Sequence, residues 1–216
     1  MPDWGRVAAL CVAFASPHTA AQIVRDGSVG PFPPGPLVSL GGQYVISANV
    51  GEQVGSNLFH SFSQFNLSAG EVGRFVGPQS VNNVISRVTG GDPSQIDGSL
   101  RTDFGPLGDS PVSLWLINPA GVVFGEDASI DVDGSLAIST ADYLSLQDGG
   151  RFDASDPGAS ILTSAPPSAF GFLDHDIAGI ELDARLLEVQ ERESVFVVGG
   201  AISLDDGHLS APDGSI

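Results

Sequence analysis

The sequence predicts an all-β protein whose short strands wind as a solenoid of parallel coils. Three observations carry that prediction. Apolar and polar residues alternate along short stretches almost to the end of the chain, and no window sustains a helical period. Between those stretches, Gly-Gly pairs at Gly41-Gly42, Gly90-Gly91, Gly149-Gly150 and Gly199-Gly200, with abundant Ser, Asn and Asp, supply places where the backbone bends.

The chain opens on an apolar run, Val7 to Ala15, that follows Arg6 and is too short to span a bilayer comfortably. Small residues, Thr19, Ala20 and Ala21, come soon after. This pattern predicts a secretory signal over residues 1–21, with cleavage between Ala21 and Gln22. The only cysteine, Cys11, leaves with it, and so do Asp3 and Arg6, so the mature charge stays at −18. A chain free of disulfides can thread an outer-membrane pore as one extended strand, and equally a large β core needs no cross-links.

Residues 22–216 are long enough for one domain with a sizeable core, 42% of the 216 residues being hydrophobic. All eight basic residues are Arg, against 26 acidic ones. So acidic a surface repels phosphate backbones and anionic headgroups, which disfavours nucleic acid and lipid surfaces as partners. The mature chain contains no integral membrane segment by its hydropathy pattern.

Gln22 to Pro36 reads as an extended leading segment: a strand and turn over Gln22 to Val29, then Pro31, Pro33, Pro34 and Pro36, which forbid helix or a central strand. Tyr44, Ile46, Ala48 and Val50 then alternate with Val45, Ser47 and Asn49. The same period returns at Ala128, Ile130 and Val132, at Leu136 and Ile138, at Ile180 and Leu182, at Leu187 and Val189, and at Ile202 and Leu204. Asp-Gly-Ser followed by an apolar residue begins at Asp26, Asp97, Asp133 and Asp213, without a fixed interval. A sandwich satisfies this periodicity too; the Gly-Gly pairs, read as sharp corners rather than tight hairpins, favour coils of roughly 18 to 25 residues. The sequence stops at Ser215-Ile216 as a new strand begins, which predicts a fragment of a longer protein.

Two stretches stand apart. Asn57-Leu-Phe-His-Ser-Phe-Ser-Gln-Phe65 spaces Phe59, Phe62 and Phe65 by three around His60 and Gln64; its serines and the following Asn66-Leu67-Ser68-Ala69-Gly70 argue for a bent strand, with the rings capping the first coil. Asn118-Pro119-Ala120-Gly121 sits between two apolar strands, Val112 to Ile117 and Val122 to Gly125. Asn first, Pro second and Gly fourth fit a type I turn.

Together with Val81 to Arg101, these segments resemble the N-terminal secretion domain of the filamentous haemagglutinin family, the exported partner in two-partner secretion. The resemblance runs from Ala21-Gln22-Ile23-Val24 to Ser210-Ala211-Pro212. Family members carry Asn-Pro-Asn-Gly where this chain has Ala120 in the third position. Their Asn-Pro-Asn-Leu has no match, Gln64-Phe65-Asn66-Leu67 standing there instead. The resemblance implies a right-handed parallel β-helix with an N-terminal cap and small extra-helical antiparallel strands. It also implies a partner, an outer-membrane β-barrel transporter whose periplasmic domains bind the unfolded chain, and a secreted or surface location reached through the periplasm. Residues expected to carry recognition are Asn118, Pro119, Ala120 and Gly121 with Asn57, Phe59, His60, Phe62, Phe65 and Arg87, flanked by Val84 and Ile85. An alternative reading is a surface adhesin or carbohydrate-binding β-helix; in the family such adhesion to a host or neighbour-cell ligand is expected of a region after Ile216.

The rival from the residues alone is a polysaccharide-cleaving enzyme, since solenoid grooves often hold carboxylate and Arg clusters. Asp174-His175-Asp176 is the densest such cluster with a histidine, but no Arg lies between Asp156 and Glu181 to complete it, so it reads as a solvated loop. Gly108-Asp109-Ser110 lies between Pro106 and Pro111 without the remainder of an esterase site. His18, His60, His175 and His208 are scattered, and Asp131-Val-Asp133-Gly134 lacks the other ligands of a calcium loop. No catalytic, cofactor or metal site is expected.

Overall fold

A computed structural model describes residues 22–105, 111–173, 175–205 and 207–216. The expected signal, its Cys11 and the Ala21 side of the cleavage site lie outside the described residues, as do Gly108-Asp109-Ser110, Asp174 and Asp206.

Strands dominate, and successive coils stack them in parallel. The leading segment gives β1 (Ile23–Arg25), β2 (Gly35–Pro36) and β3 (Ser39–Leu40), and the first coil follows with β4 (Gln43–Ser47), β5 (Glu52–Val54) and β6 (Asn57–Phe65). A second coil holds β7 (Val72–Val76), β8 (Asn83–Val88) and β9 (Ser94–Ile96); a third holds β10 (Ser99–Asp103), β11 (Ser113–Ile117) and β12 (Val122–Phe124). The fourth begins with β13 (Ser129–Asp131) and β14 (Leu136–Ser139), is interrupted by β15 (Tyr143–Leu146), β16 (Arg151–Asp153) and β17 (Pro167–Gly171), and closes with β18 (Ile180–Leu182). The last elements are β19 (Leu187–Glu188), β20 (Val195–Val198), β21 (Ile202–Leu204) and β22 (Leu209–Ser210).

Three stacks of parallel strands form the walls: β4-β7-β10-β13, β6-β8-β11-β14-β20 and β9-β12-β18-β21, the third continued by a bridge from Ile96 to Leu67. A parallel pair requires a long crossover, and here the rest of each coil supplies it. In-register pairing places like on like: Leu58 beside Val84, Leu114 beside Leu136, Ile138 beside Val197. Their side chains fill one continuous core with Ile23, Tyr44, Ile46, Phe62, Phe65, Phe75, Phe124 and Ile180. Stacking like this lets every coil bury its apolar face on its neighbour, at about 25 cal/mol for each Å² removed from water.

Coils are less regular than the expected 18 to 25 residues. Asn83 lies 26 residues after Asn57, Ser135 lies 22 after Ser113, and Ser194 lies 59 after Ser135 because β15 to β17 are inserted between. That insertion is an antiparallel sheet, order β16-β15-β17, standing outside the solenoid.

Antiparallel pieces close the N-terminal edge. β1 and β5 pair with opposite ends of β6, and β3 pairs with β4. The prolines sit beside the edge strand β2, where a missing N–H costs nothing. The corner reading of the Gly-Gly pairs needs correction at two of four sites. Gly41-Gly42, both at positive φ, make a two-residue hairpin joining β3 to β4, and Gly149-Gly150 turn β15 back into β16. The alternation at Tyr44 to Val50 also stops early, since Ala48–Val50 form a 3-10 turn.

Candidate functional site

The stretch from Asn57 to Val88 folds into two adjacent strands, and its in-register pairing sorts the side chains onto two faces. Leu58, His60 and Phe62 of β6 point into the solenoid beside Val84, Ser86 and Val88 of β8, whereas Asn57, Phe59 and Ser61 point outward beside Asn83, Ile85 and Arg87. Phe62 and Phe65 share the interior despite their spacing of three because β6 carries a bulge: Val24 pairs with Gln64 but Arg25 with Phe62, so Ser63 is skipped. The expectation of a bent strand holds. The expectation that the rings cap the coil does not, because backbone pairing by β1, β3 and β5 does the capping while Phe62 and Phe65 pack within, 5.2 Å between ring centroids.

The inserted sheet covers the outward row. Phe59 meets Phe152 with centroids 5.1 Å apart, and Ile85, Ile117, Leu144, Leu146 and Ala154 complete a second core between solenoid and insertion. Arg87 is enclosed there. Its Nε donates to Ser61 Oγ at 2.7 Å, Nη2 to Ser28 Oγ at 2.8 Å, and Nη1 to Ser160 Oγ at 2.6 Å and to the Asp153 carbonyl, with Cζ over the Phe152 ring. Burial pulls its pKa down to about 10, partly countered by the nearby charges of Asp26 and Asp153, so it stays a cation at neutral pH. Burial pushes the Asp26 carboxyl up, but hydrogen bonds from Ser61, Ser28 and Thr89 outweigh that and hold it below the usual carboxylate range. Asn57 is equally enclosed: its Nδ2 donates to the carbonyls of Thr163 and Ala165, and its Oδ1 accepts from Asn83 Nδ2 at 3.0 Å.

On the inward face His60 is fully buried. Its Nε2 faces the Ser47 carbonyl at 3.2 Å, which fixes the proton there, and Nδ1 has no partner. Desolvation lowers its pKa to about 4, the bond to Ser47 working weakly the other way.

The turn Asn118-Pro119-Ala120-Gly121 lies a coil away. Asn118 is buried; its Oδ1 accepts from the Ala120 N–H at 3.0 Å and its carbonyl from the Gly121 N–H at 3.0 Å, closing the turn that Gly121 leaves at φ 122°. Its Nδ2 reaches back to the preceding coil, to the Asp92 carbonyl at 3.2 Å and Ser94 Oγ at 3.0 Å. Asn118 therefore bends the chain and rivets two coils together. Pro119 and Ala120 are half-buried.

The model of the TPS secretion domain family matches residues 21–216 of the chain. The chain belongs to that family. The solved HMW1 secretion domain from Haemophilus influenzae has the same fold, with a TM-score of 0.52 at 24% identity. The match covers 81% of this chain and 39% of that one. A comparison with curated proteins returns no match. As a TPS secretion domain, the chain is the secretion domain of an exoprotein.

Within the TPS domain, the described residues singled out for enzymatic chemistry lie at the surface. His175 and Asp176 are exposed in the loop before β18. Elsewhere Glu126, Asp183, Arg185 and Asp205 line a surface notch, but Arg185 and Glu126 are 4.0 Å apart and largely exposed, an ion pair contributing about 0 to 1 kcal/mol. Among the described residues no cluster of His, Cys, Asp and Glu is close enough to hold a metal ion, and no helix is long and apolar enough to cross a membrane. Sequence reasoning missed Asp26, Ser28, Asp153 and Ser160, the groups around Arg87. A lone Arg between Ser86 and Val88 in an apolar strand was the available signal, since such a charge must find partners.

Proposed function

We propose that this TPS domain is a secretion address that periplasmic domains of an outer-membrane β-barrel transporter read while the chain is extended. Folding then follows on the far side of the membrane, and the growing stack resists back-sliding. One observation carries the reading: Asn57, Phe59, His60, Phe62, Phe65, Val84, Ile85 and Arg87 are all buried in the folded domain, facing both ways from β6 and β8. A partner that uses these side chains must meet them before they are enclosed. An extended amphipathic segment can add as a strand to a sheet edge in the transporter, its backbone providing affinity and alternate side chains providing specificity. No ATP is available in the periplasm, and the burial of each coil on the last supplies the downhill step.

The test is capture of the domain, denatured or native, by the immobilised periplasmic region of the cognate transporter. The denatured chain is expected to bind and the native one to fail. Equal capture of both, or of neither, overturns the proposal.

A further inference from the structure

The N-terminal segment covers only the Ser61 end of the outward row of β6 and β8, through Asp26 and Ser28. The rest of the row is closed by a segment that arrives much later in the chain. Thr163 and Ala165 follow Asn57 by 106 and 108 residues, and Asp153 and Ser160 follow Arg87 by 66 and 73. The first coils can therefore stack on their inner face, with Ser61 already held by Asp26 and Ser28, while Asn57, Phe59 and Arg87 still lack the partners that the insertion supplies.

Resting on the reading of the previous subsection, we propose that the inserted sheet β15–β17 is the release device: it docks on the same outward row that the transporter holds, so completing the fold evicts the transporter. The insertion offers that row a defined chemistry, namely backbone carbonyls for Asn57 and Arg87, a serine hydroxyl, and an aromatic face under the guanidinium. The transporter surface it displaces presents the same groups, carbonyls along an exposed strand edge beside an aromatic ring. Because the insertion lies in the fourth coil, the hand-off waits until three coils have formed. The insertion is braced for this work: the Arg151 guanidinium stacks 3.6 Å from the Tyr143 ring centroid and pairs with Asp153.

Trp115 reports the docking of β17 together with the stacking of β20, whose Phe196 ring lies 6.4 Å from it between centroids. It is the sole tryptophan of residues 22–216 and packs against Phe170 of β17, 5.9 Å between centroids. The experiment dilutes the denatured domain, already captured by the immobilised periplasmic region of the transporter, into refolding buffer, and follows release together with Trp115 emission. Release is expected to coincide with the Trp115 change. A Phe152→Ala/Ser160→Ala variant, altered only on the insertion side, is expected to be captured as well as the wild type and to delay both signals several-fold. Release ahead of the Trp115 change, or undelayed release from a variant whose insertion is loosened by limited proteolysis, overturns this inference alone. Failure of the wild type to be captured overturns the secretion-address reading beneath it, and this inference with it.

Discussion

Arg87 holds its guanidinium carbon 4.2 Å from the centroid of the Phe152 ring, joining the second coil to a segment outside the solenoid. The fork also reaches Ser28, Ser61, Ser160 and a main-chain carbonyl, so three distant parts of the chain meet at one side chain. An Arg87→Lys domain keeps the charge but cannot span those acceptors from a single point. It is expected to lose about 2 to 3 kcal/mol in urea unfolding, through buried acceptors left unpaired. Stability within about 0.5 kcal/mol of wild type would show the fork to be dispensable.

Asn118 and Ala120 separate turn chemistry from family resemblance. Asn118→Ala removes three hydrogen bonds, including both to the preceding coil, and should cost about 2 kcal/mol of stability. Ala120→Asn places at a half-buried position the residue that the family resemblance leads one to expect, and should leave unfolding within about 0.5 kcal/mol of wild type. Measuring export alongside circular dichroism for both variants distinguishes a folding role from a contact role. Loss of export by Asn118→Ala with an unchanged melting curve would assign Asn118 to contact.

Gly90 and Gly91 form an internal control. A Cβ at Gly90 would lie 2.0 Å from the Ser63 carbonyl oxygen, whereas one at Gly91 meets nothing within 4 Å. Gly90→Ala is therefore expected to destabilise by about 1 to 3 kcal/mol through forced backbone shifts. Gly91→Ala is expected to be neutral or slightly stabilising in the same thermal melt.

His60 makes the fold acid-sensitive. Its pKa is about 4 when folded and 6.5 when free, so between those values the unfolded chain takes up a proton that the native one refuses. Its contribution is complete above pH 6.5 and is lost as pH falls towards 4, amounting to roughly 3 kcal/mol. Asp26, held below its ordinary pKa, adds loss in the same direction at lower pH. Denaturant titrations of His60→Phe should show a flatter stability profile between pH 4 and 6.5, at the cost of the Ser47 bond. An unchanged slope would remove His60 as the cause.

The walls of the fold were legible because each inward strand face repeats every second residue, as at Ile180 and Leu182 or Leu187 and Val189. Position in the stack was not, because coil length depends on what is inserted at the corners, and nothing local marks Ala141 to Ala178 as a separate sheet rather than two more coils. Gly41-Gly42 and Gly199-Gly200 look alike in sequence, yet the first makes a hairpin at a capped edge and the second a corner in the stack. Asn57, Phe59 and Arg87 were singled out by family resemblance, but their common outward row appears only when β6 and β8 pair in register. Partners as remote as Ser160 and Ala165 leave no trace in local pattern.

Hydrogen exchange on the chain bound to the transporter's periplasmic region tests the central claim most directly. Recognition before folding predicts that amides of residues 57–65 and 83–88 are protected by the partner while those of 114–117 and 136–139 exchange as in the unfolded chain. Protection of all four segments at the level of the free native domain would contradict it.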